Sequence, residues 1–164
     1  MHIECTHGTP VVDTLLHLPP IPLLVKYRSA MKKQDEPGIY RALQWHSRIR
    51  HIYLCLPPSI LQKCLVLMDA YFQRLEDLSL SFATDNNTTL TLPKTFLAPN
   101  LRYLALTGIG LPKRLRALTY TVSLITLVLR HIQTSSYIRP RLLVARLSSL
   151  PQLEKLSKIG RAHV

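Results

Sequence analysis

Three residues of metal-binding type stand close together at the start of the sequence, in HIECTH. His2, Cys5 and His7 could bind a zinc ion, because imidazole and thiolate are its usual protein ligands. A structural zinc site takes four ligands, however, and no second cluster in the sequence supplies the fourth. We therefore interpret HIECTH as a loose amino-terminal segment, and we predict neither a metal nor another cofactor.

A thiol beside an imidazole is a second combination with catalytic potential. Cys55 and Cys64 occur near His46 and His51 in the sequence, and an imidazole can activate a thiol as a nucleophile. Cys64 falls on an apolar helical stripe and Cys55 lies beside a strand leucine, however. These positions favour buried structural thiols over a reactive pair.

Other short motifs give no catalytic site either. GIG at residues 108–110 lacks the third glycine and the following helix of a dinucleotide-binding loop, so we interpret it as a turn. Asn86 and Asn87 each begin an N-x-T sequon, which we interpret as the polar tip of a loop. No two carboxylates fall at helical spacing near a histidine. We predict that the chain is not an enzyme.

The composition is typical of one folded domain. The 164 residues are 47% hydrophobic and 18% charged, which argues against a disordered chain. The longest uncharged apolar run, residues 18–25, contains three prolines and is too short to cross a bilayer. The sequence begins without a signal-peptide pattern, and its three cysteines fit no disulfide framework. We predict an intracellular protein, cytoplasmic or nuclear, that does not engage a membrane.

The net charge of +12, from 21 basic and 9 acidic residues, suggests an anionic partner. The basic residues are scattered, however, and no run is long enough to form a polybasic tail. We prefer a solvated basic surface to a nucleic-acid site. Nucleic-acid binding stays open as the alternative function, although only Tyr53 and Tyr103 could stack on bases between the cations.

The six-residue pattern L-x-x-L-x-L organises most of the chain. Its starts lie 26, 26, 23 and 29 residues apart, which is the spacing of leucine-rich repeats. The copies are IRHIYL from Ile49, LEDLSL from Leu75, LRYLAL from Leu101, LITLVL from Leu124 and the incomplete LEKLS from Leu153.

Each copy predicts a short strand whose alternate leucines point into a shared core, because one unit cannot cover its own leucines but a stack can. Parallel strands need crossovers behind the sheet. We predict helical crossovers in EPGIYRALQW, in SILQKCLVLMDAYF with Ser59 as its cap, and in SSYIRPRLLVARLSSL with Pro140 in the first turn. PLLVKY, residues 22–27, predicts an earlier strand. TTLTLPKTFLAPN contains a short strand-like piece, and GIGLPKRLRALTYTV begins with a turn.

The predicted fold class is therefore α/β: an irregular, leucine-rich-repeat-like solenoid with a curved parallel sheet, occupying residues 1–157. Regular repeats often carry Asn or Cys three positions beyond the last leucine of the pattern, where the side chain satisfies backbone groups. Here those positions hold Pro57, Ala83, Ile109 and Ile132. Without an asparagine ladder, we expect an irregular stack with uneven curvature.

The residues between the strand leucines are the candidate binding residues. In a stack they form rows on the exposed face of the sheet, and their mixture of tyrosine and charge is typical of a protein-binding surface. The same residues could simply face solvent, and the sequence leaves both interpretations open. The predicted partner-binding set is His51, Tyr53, Asp77, Tyr103, Thr126 and Arg130.

Five segments of the sequence resemble a known family over about residues 5–156. They are CTHGTPVVDTLLHLPPIPLLVKY, ALQWHSRIRHIYLCLP, MDAYFQRLEDLSLSF, LTLPKTFLAPNLRYLALTGIGLP and SYIRPRLLVARLSSLPQLEKL. This pattern is similar to the repeat region of F-box-type proteins of mushroom-forming fungi, with LPKTFLAPNLRYL and LSSLPQLEKL as its most specific parts. The resemblance implies a leucine-rich-repeat surface that selects protein substrates for a cullin ubiquitin ligase.

In that family, an amino-terminal F-box docks on a Skp-type adaptor. The F-box motif does not occur in these 164 residues, so the resemblance implies Skp binding only if an F-box lies upstream in the intact protein. The carboxyl-terminal residues 158–164, KIGRAHV, break the leucine pattern at Lys158 and resemble one reading frame of a sequencing-library adapter. We expect them to be a non-native tail, and we expect the repeat region to be truncated at both ends.

Overall fold

A computed structural model describes residues 3–5, 21–28, 36–82, 88–112, 120–132 and 139–159. Seven parallel strands form one sheet, and their spatial order is their order along the chain. This confirms the α/β class and the parallel sheet. The strands are β1 Ile3–Cys5, β2 Leu23–Tyr27, β3 Ile49–Cys55, β4 Asp77–Ser81, β6 Tyr103–Thr107, β8 Thr126–Arg130 and β9 Lys155–Ile159.

The second leucine of each pattern lies directly beside its counterpart in the next strand. Ile52 pairs with Leu78, Leu78 with Leu104, and Leu104 with Leu127. Each of these four side chains is at most 1% exposed. As the sequence predicts, the spacing of the pattern places aliphatic side chains from successive strands in one shared core.

One backbone hydrogen-bond arrangement also recurs from strand to strand. The carbonyl of Glu76 accepts from the amides of Arg102 and Tyr103, at 2.7 and 3.0 Å. One repeat later, the carbonyl of Arg102 accepts from the next two pattern residues, and the carbonyl of Ile125 does so after that. Successive strands are thus joined at the same pattern position, although the segments between the strands differ in length.

Three helices pack among the described residues: α1 Glu36–Gln44, α2 Pro58–Leu67 and α3 Pro140–Leu147. They occupy three predicted crossovers, and Pro140 is in the first turn of α3 as expected. The cap prediction is wrong: Ser59 lies inside α2, and Pro57 occupies the cap position without a side-chain hydrogen bond. The prolines at 57 and 58 start this helix, because their fixed φ suits its first turn.

A second, two-stranded sheet was not predicted. Strand β5, Leu90–Thr91, pairs in parallel with β7, Ile109–Gly110. GIG is therefore a turn only at Gly108, whose φ of +79° lies in the left-handed region, and the next two residues form β7. A Cβ atom at Gly108 would lie 2.8 Å from Cε1 of Phe82. Glycine is needed here for its backbone conformation and for the close packing.

We expect Gly108→Ala to lower the free energy of unfolding by about 2 kcal/mol, because it adds backbone strain and a steric clash together. Urea unfolding followed by circular dichroism would measure the loss. In the double variant with Phe82→Leu, part of the loss should return, since the shorter side chain relieves the clash but not the strained φ. A Gly108→Ala protein as stable as the wild type would contradict this packing.

Several sequence-based expectations lie outside the described residues: His2 and His7 of the zinc cluster, Ala83, the sequons at Asn86 and Asn87, and residues 160–164. The side chain of Cys5 also falls outside them. Strand β9 continues to Ile159, two residues past the expected boundary at 157, and Leu129 pairs with Lys158 in register. The non-native origin of residues 158–164 stays a prediction.

The basic residues do not all belong to a solvated surface. Arg48 is 8% exposed, donates from its guanidinium to the carbonyl of Ile21 at 3.3 Å, and stacks over the Trp45 ring at 5.6 Å. This cation lies in the turn that joins α1 to β3 and is part of the local packing there. In the part of the chain that is described, no helix is long and apolar enough to cross a bilayer.

Candidate functional site

The predicted binding residues lie on the face of the sheet opposite the leucine core, which we call the outward face. Its first row runs across four strands: His51, Asp77, Tyr103 and Thr126 occupy neighbouring register positions. The row has the order that the sequence predicts. It arises because alternate strand residues point away from the core and because the strands are stacked without a shift in register.

Three of these residues form a hydrogen-bonded cluster. The Oδ2 atom of Asp77 lies 2.9 Å from Nδ1 of His51 and accepts a hydrogen bond of 2.9 Å from the phenol of Tyr53. The rings of His51 and Tyr53 are stacked, with centroids 6.4 Å apart and planes within 9° of parallel. Asp77 therefore fixes two aromatic side chains of β3 from the adjacent strand.

The carboxylate keeps the Tyr53 hydroxyl protonated. Desolvation, the hydrogen bond to Asp77 and the charge of Asp77, in that order, raise the pKa of Tyr53 from 10.0 to about 12. The phenol consequently stays a neutral hydrogen-bond donor at any physiological pH. Because its proton is directed to Asp77, it serves as a rigid wall of the surface and not as an acid or a nucleophile.

The remaining predicted residues are farther from this cluster. Thr126 is the last residue of the predicted set in the first row, and it is half-buried. Arg130 is exposed at the carboxyl end of β8, beside Thr107 on β6, and is therefore separated from Asp77 along the strand and across it. The structure brings together His51, Tyr53 and Asp77, places Tyr103 next to them, and leaves Arg130 at the border of the face.

Sequence reasoning missed two basic residues of the face, Lys26 on β2 and Lys155 on β9, which pairs in register with Thr126. Lys26 on β2 pairs in register with Tyr53, and Tyr53 pairs with Ser79, so a second row begins one strand earlier than predicted. The sequence does contain a signal for Lys26. PLLVKY predicts a strand, and Lys26 alternates with the buried residues of that strand. Lys26 also lines a cavity of about 210 Å3 at the carboxyl ends of β2, β3 and β4.

An ion pair borders the other end of the strands. Nε of Arg50 lies 2.8 Å from Oε1 of Glu76, with side chains 47% and 27% exposed. Both line a second cavity of about 220 Å3, together with Arg74 and Asn100. Exposed pairs of this kind contribute little to stability. In this pair, the charge of Arg50 is already offset by the Glu76 carboxylate.

The two described thiols differ in environment. Cys64 belongs to α2 and is fully buried, and burial, with a smaller contribution from the Glu36 charge, raises its pKa from 9.0 to about 12. Such a thiol is unreactive at neutral pH. Cys55 is half-buried on the outward face. Within the described residues, no three His, Cys, Asp or Glu side chains are grouped in a way that could hold a metal ion.

Comparisons with protein families, with curated proteins and with solved structures gave no match to this chain.

Proposed function

We propose that this chain is a leucine-rich-repeat-type solenoid whose outward sheet face binds a protein. The cluster of His51, Tyr53 and Asp77 is the observation that carries the proposal. Two aromatic rings of β3 are held in place by one carboxylate on the adjacent parallel strand β4, and Tyr103 stands beside that carboxylate on β6. Side chains that are already ordered lose little entropy on binding, which favours affinity.

The residue types on the face support a protein ligand. Tyrosine and arginine are the residues that most often anchor protein interfaces, and here they occur on rigid strands instead of loops. The rest of the face carries small side chains such as Ser79 and Ala105. Aromatic anchors surrounded by small residues leave room for side chains of a partner to pack between them.

In its more specific form, the proposal makes this chain the substrate-recognition region of an F-box-type ubiquitin-ligase adaptor. The support is the resemblance carried by LPKTFLAPNLRYL and LSSLPQLEKL, together with the stacked parallel strands that those segments contribute to. A partner selected in this way should accumulate in ubiquitinated form when the proteasome is inhibited. A partner whose ubiquitination is independent of this chain would count against the ligase role.

Binding through the outward face predicts a specific loss. Changing Tyr53, Tyr103 and Arg130 together to alanine should reduce capture of the partner from cell extract at least about tenfold, because interface anchors dominate binding energy. The measurement is quantitative affinity capture with mass spectrometry, with circular dichroism to show that the variant is folded.

A matched control changes two tyrosines and one arginine elsewhere. Tyr71 and Tyr120 are 52% and 58% exposed, and Arg141 is exposed on α3. The variant with alanine at these three positions should capture the same partner as the wild type. Equal losses in both triple variants, or none in either, would show that the partner does not bind the outward face.

Nucleic-acid binding is the weaker alternative, because Arg48 is buried and Arg50 is paired with Glu76. Filter binding of single-stranded RNA at two salt concentrations separates the two functions. Phosphate contacts would make the affinity fall steeply as salt rises. We expect only weak binding that does not respond to the outward-face substitutions.

A further inference from the structure

The cavity of about 220 Å3 lies at the amino ends of the strands and shares no residue with the predicted partner-binding set. Four successive strands of the sheet contribute to its lining: Pro22 before β2, Arg50 on β3, Arg74 and Glu76 before β4, and Asn100 before β6. The cavity is smaller than the roughly 300 to 1,000 Å3 of pockets that enclose drug-sized ligands. A ligand that fits it should therefore be a small molecule.

Arg74 brings an unbalanced positive charge to this cavity. Its side chain is exposed and makes no hydrogen bond or ion pair within the described residues. Arg50 and Glu76 offset each other through the 2.8 Å contact between Nε and Oε1. Two arginines and one glutamate leave the lining with a net charge of +1. The ligand that matches this lining carries one net negative charge.

The lining also offers hydrogen-bonding groups of both kinds. A guanidinium has five N–H donors, which is more than one carboxylate accepts, so Arg50 keeps donors for a ligand beside its contact with Glu76. The Glu76 carboxylate in turn keeps acceptor sites. Asn100 donates from Nδ2 to the carbonyl of Gln73 at 2.7 Å, which holds its amide in place and leaves Oδ1 as a further acceptor.

We propose that this cavity binds a free acidic amino acid, such as glutamate or aspartate. Such a molecule carries two carboxylates and one ammonium group, so its single net negative charge matches the lining. The carboxylates suit Arg50 and Arg74, because a guanidinium can bind a carboxylate through two parallel hydrogen bonds. The ammonium group suits Glu76 and Asn100. A dianion without an ammonium group would instead be repelled by the Glu76 charge.

Isothermal titration calorimetry of the full chain with L-glutamate tests the proposal, and we expect saturable binding at one site. Glutarate lacks the ammonium group and glutamine lacks the second carboxylate. Each should therefore bind about tenfold more weakly or worse, as expected when a charged hydrogen bond is lost. A capped tripeptide with a central glutamate lacks both free α groups and should bind no better than these two.

Two substitutions in the lining separate the carboxylate contacts from the ammonium contacts. Arg74→Gln should raise the Kd of glutamate about tenfold or more, because it removes the unbalanced cation. Glu76→Gln should weaken glutamate but strengthen glutarate, because a lining with two arginines and no carboxylate suits a dianion. Arg141→Gln removes an exposed arginine on α3 and should leave both Kd values unchanged. Circular dichroism shows that the variants are folded.

Three results would overturn the proposal: no saturable heat with glutamate, an unchanged Kd in Arg74→Gln, and binding of glutarate, inorganic phosphate or the capped tripeptide as tight as that of glutamate. The proposed function is tested separately, because capture of a protein partner should be the same for Arg74→Gln and the wild type. A chain that binds glutamate but captures no partner would refute the proposed function alone.

Discussion

Leu78→Ala should lower the free energy of unfolding by about 3 kcal/mol, because it opens a cavity in the middle of the shared core. Leu78 is fully buried, and its neighbours in register, Ile52 and Leu104, belong to the two adjacent strands β3 and β6. Removing its side chain therefore weakens the packing of three strands at once. Urea unfolding followed by circular dichroism or tryptophan fluorescence measures the change.

Leu156 offers a control at the same position of the pattern. It continues the row one strand beyond Leu127, but its side chain is 51% exposed. Leu156→Ala should therefore cost less than about 1 kcal/mol, since little apolar area leaves the core. Similar losses from Leu78→Ala and Leu156→Ala would contradict a core that is shared between stacked coils.

Alkaline pH should destabilise the protein through Cys64. The thiol has a pKa of about 12 in the folded chain against 9.0 for the exposed group, chiefly because it is desolvated. Above pH 9 the unfolded chain releases this proton while the folded chain retains it. The folded state then loses stability as pH rises, and the contribution that is complete below pH 9 disappears towards pH 12.

At pH 11, this single group should account for about 2 to 3 kcal/mol of lost unfolding free energy. Cys64→Ala removes the titration, so its stability should decline less than that of the wild type between pH 9 and 11. Tyr53, whose pKa is also raised to about 12, titrates in both proteins and cancels in the comparison. Tyr40 cancels only in part: burial and the Glu36 charge raise its pKa to about 12 in both proteins, but the Cys64 charge adds a smaller contribution that the substitution removes. Parallel pH profiles of the two proteins would refute a desolvated thiol.

The stacked strands could be predicted from the sequence because their signal is repeated. Leu75 and Leu101 each begin the same pattern, and a one-residue slip would move every leucine to the wrong face. For the small sheet the signal is partial: β5 falls in the strand-like piece of TTLTLPKTFLAPN, whereas β7 has only two residues and follows a glycine. Nothing in the pattern predicts that these two segments pair.

The candidate site was predictable in outline but not in detail. Alternation along the strands places His51 beside Asp77, and the structure has them in register. The shared hydrogen bonds to Asp77 depend on side-chain rotamers, which the leucine pattern does not determine. Arg48 shows the same difference: its charge suggests exposure, whereas the Trp45 ring and the Ile21 carbonyl hold it in the interior.

We propose that the two faces of this sheet have different tasks. The inward leucines join the coils, and the outward row carries aromatic and charged groups that need not pack for stability. The Asp77 carboxylate contacts both His51 and Tyr53 and holds them in place within the chain itself. Changes of partner specificity should accordingly follow from outward substitutions that leave the unfolding free energy within about 0.5 kcal/mol of the wild type.

Photo-crosslinking is the most direct test of the proposed binding face. Benzoylphenylalanine replaces either Tyr103 on the outward face or Tyr71, which is 52% exposed next to the bridge with Leu97. Both substitutions keep an aromatic ring at the substituted position. A difference in crosslinking between the two variants therefore reports on where the partner binds. We predict a crosslinked protein partner from position 103 and none from position 71. A partner crosslinked from position 71 but not from position 103 would contradict the proposed function.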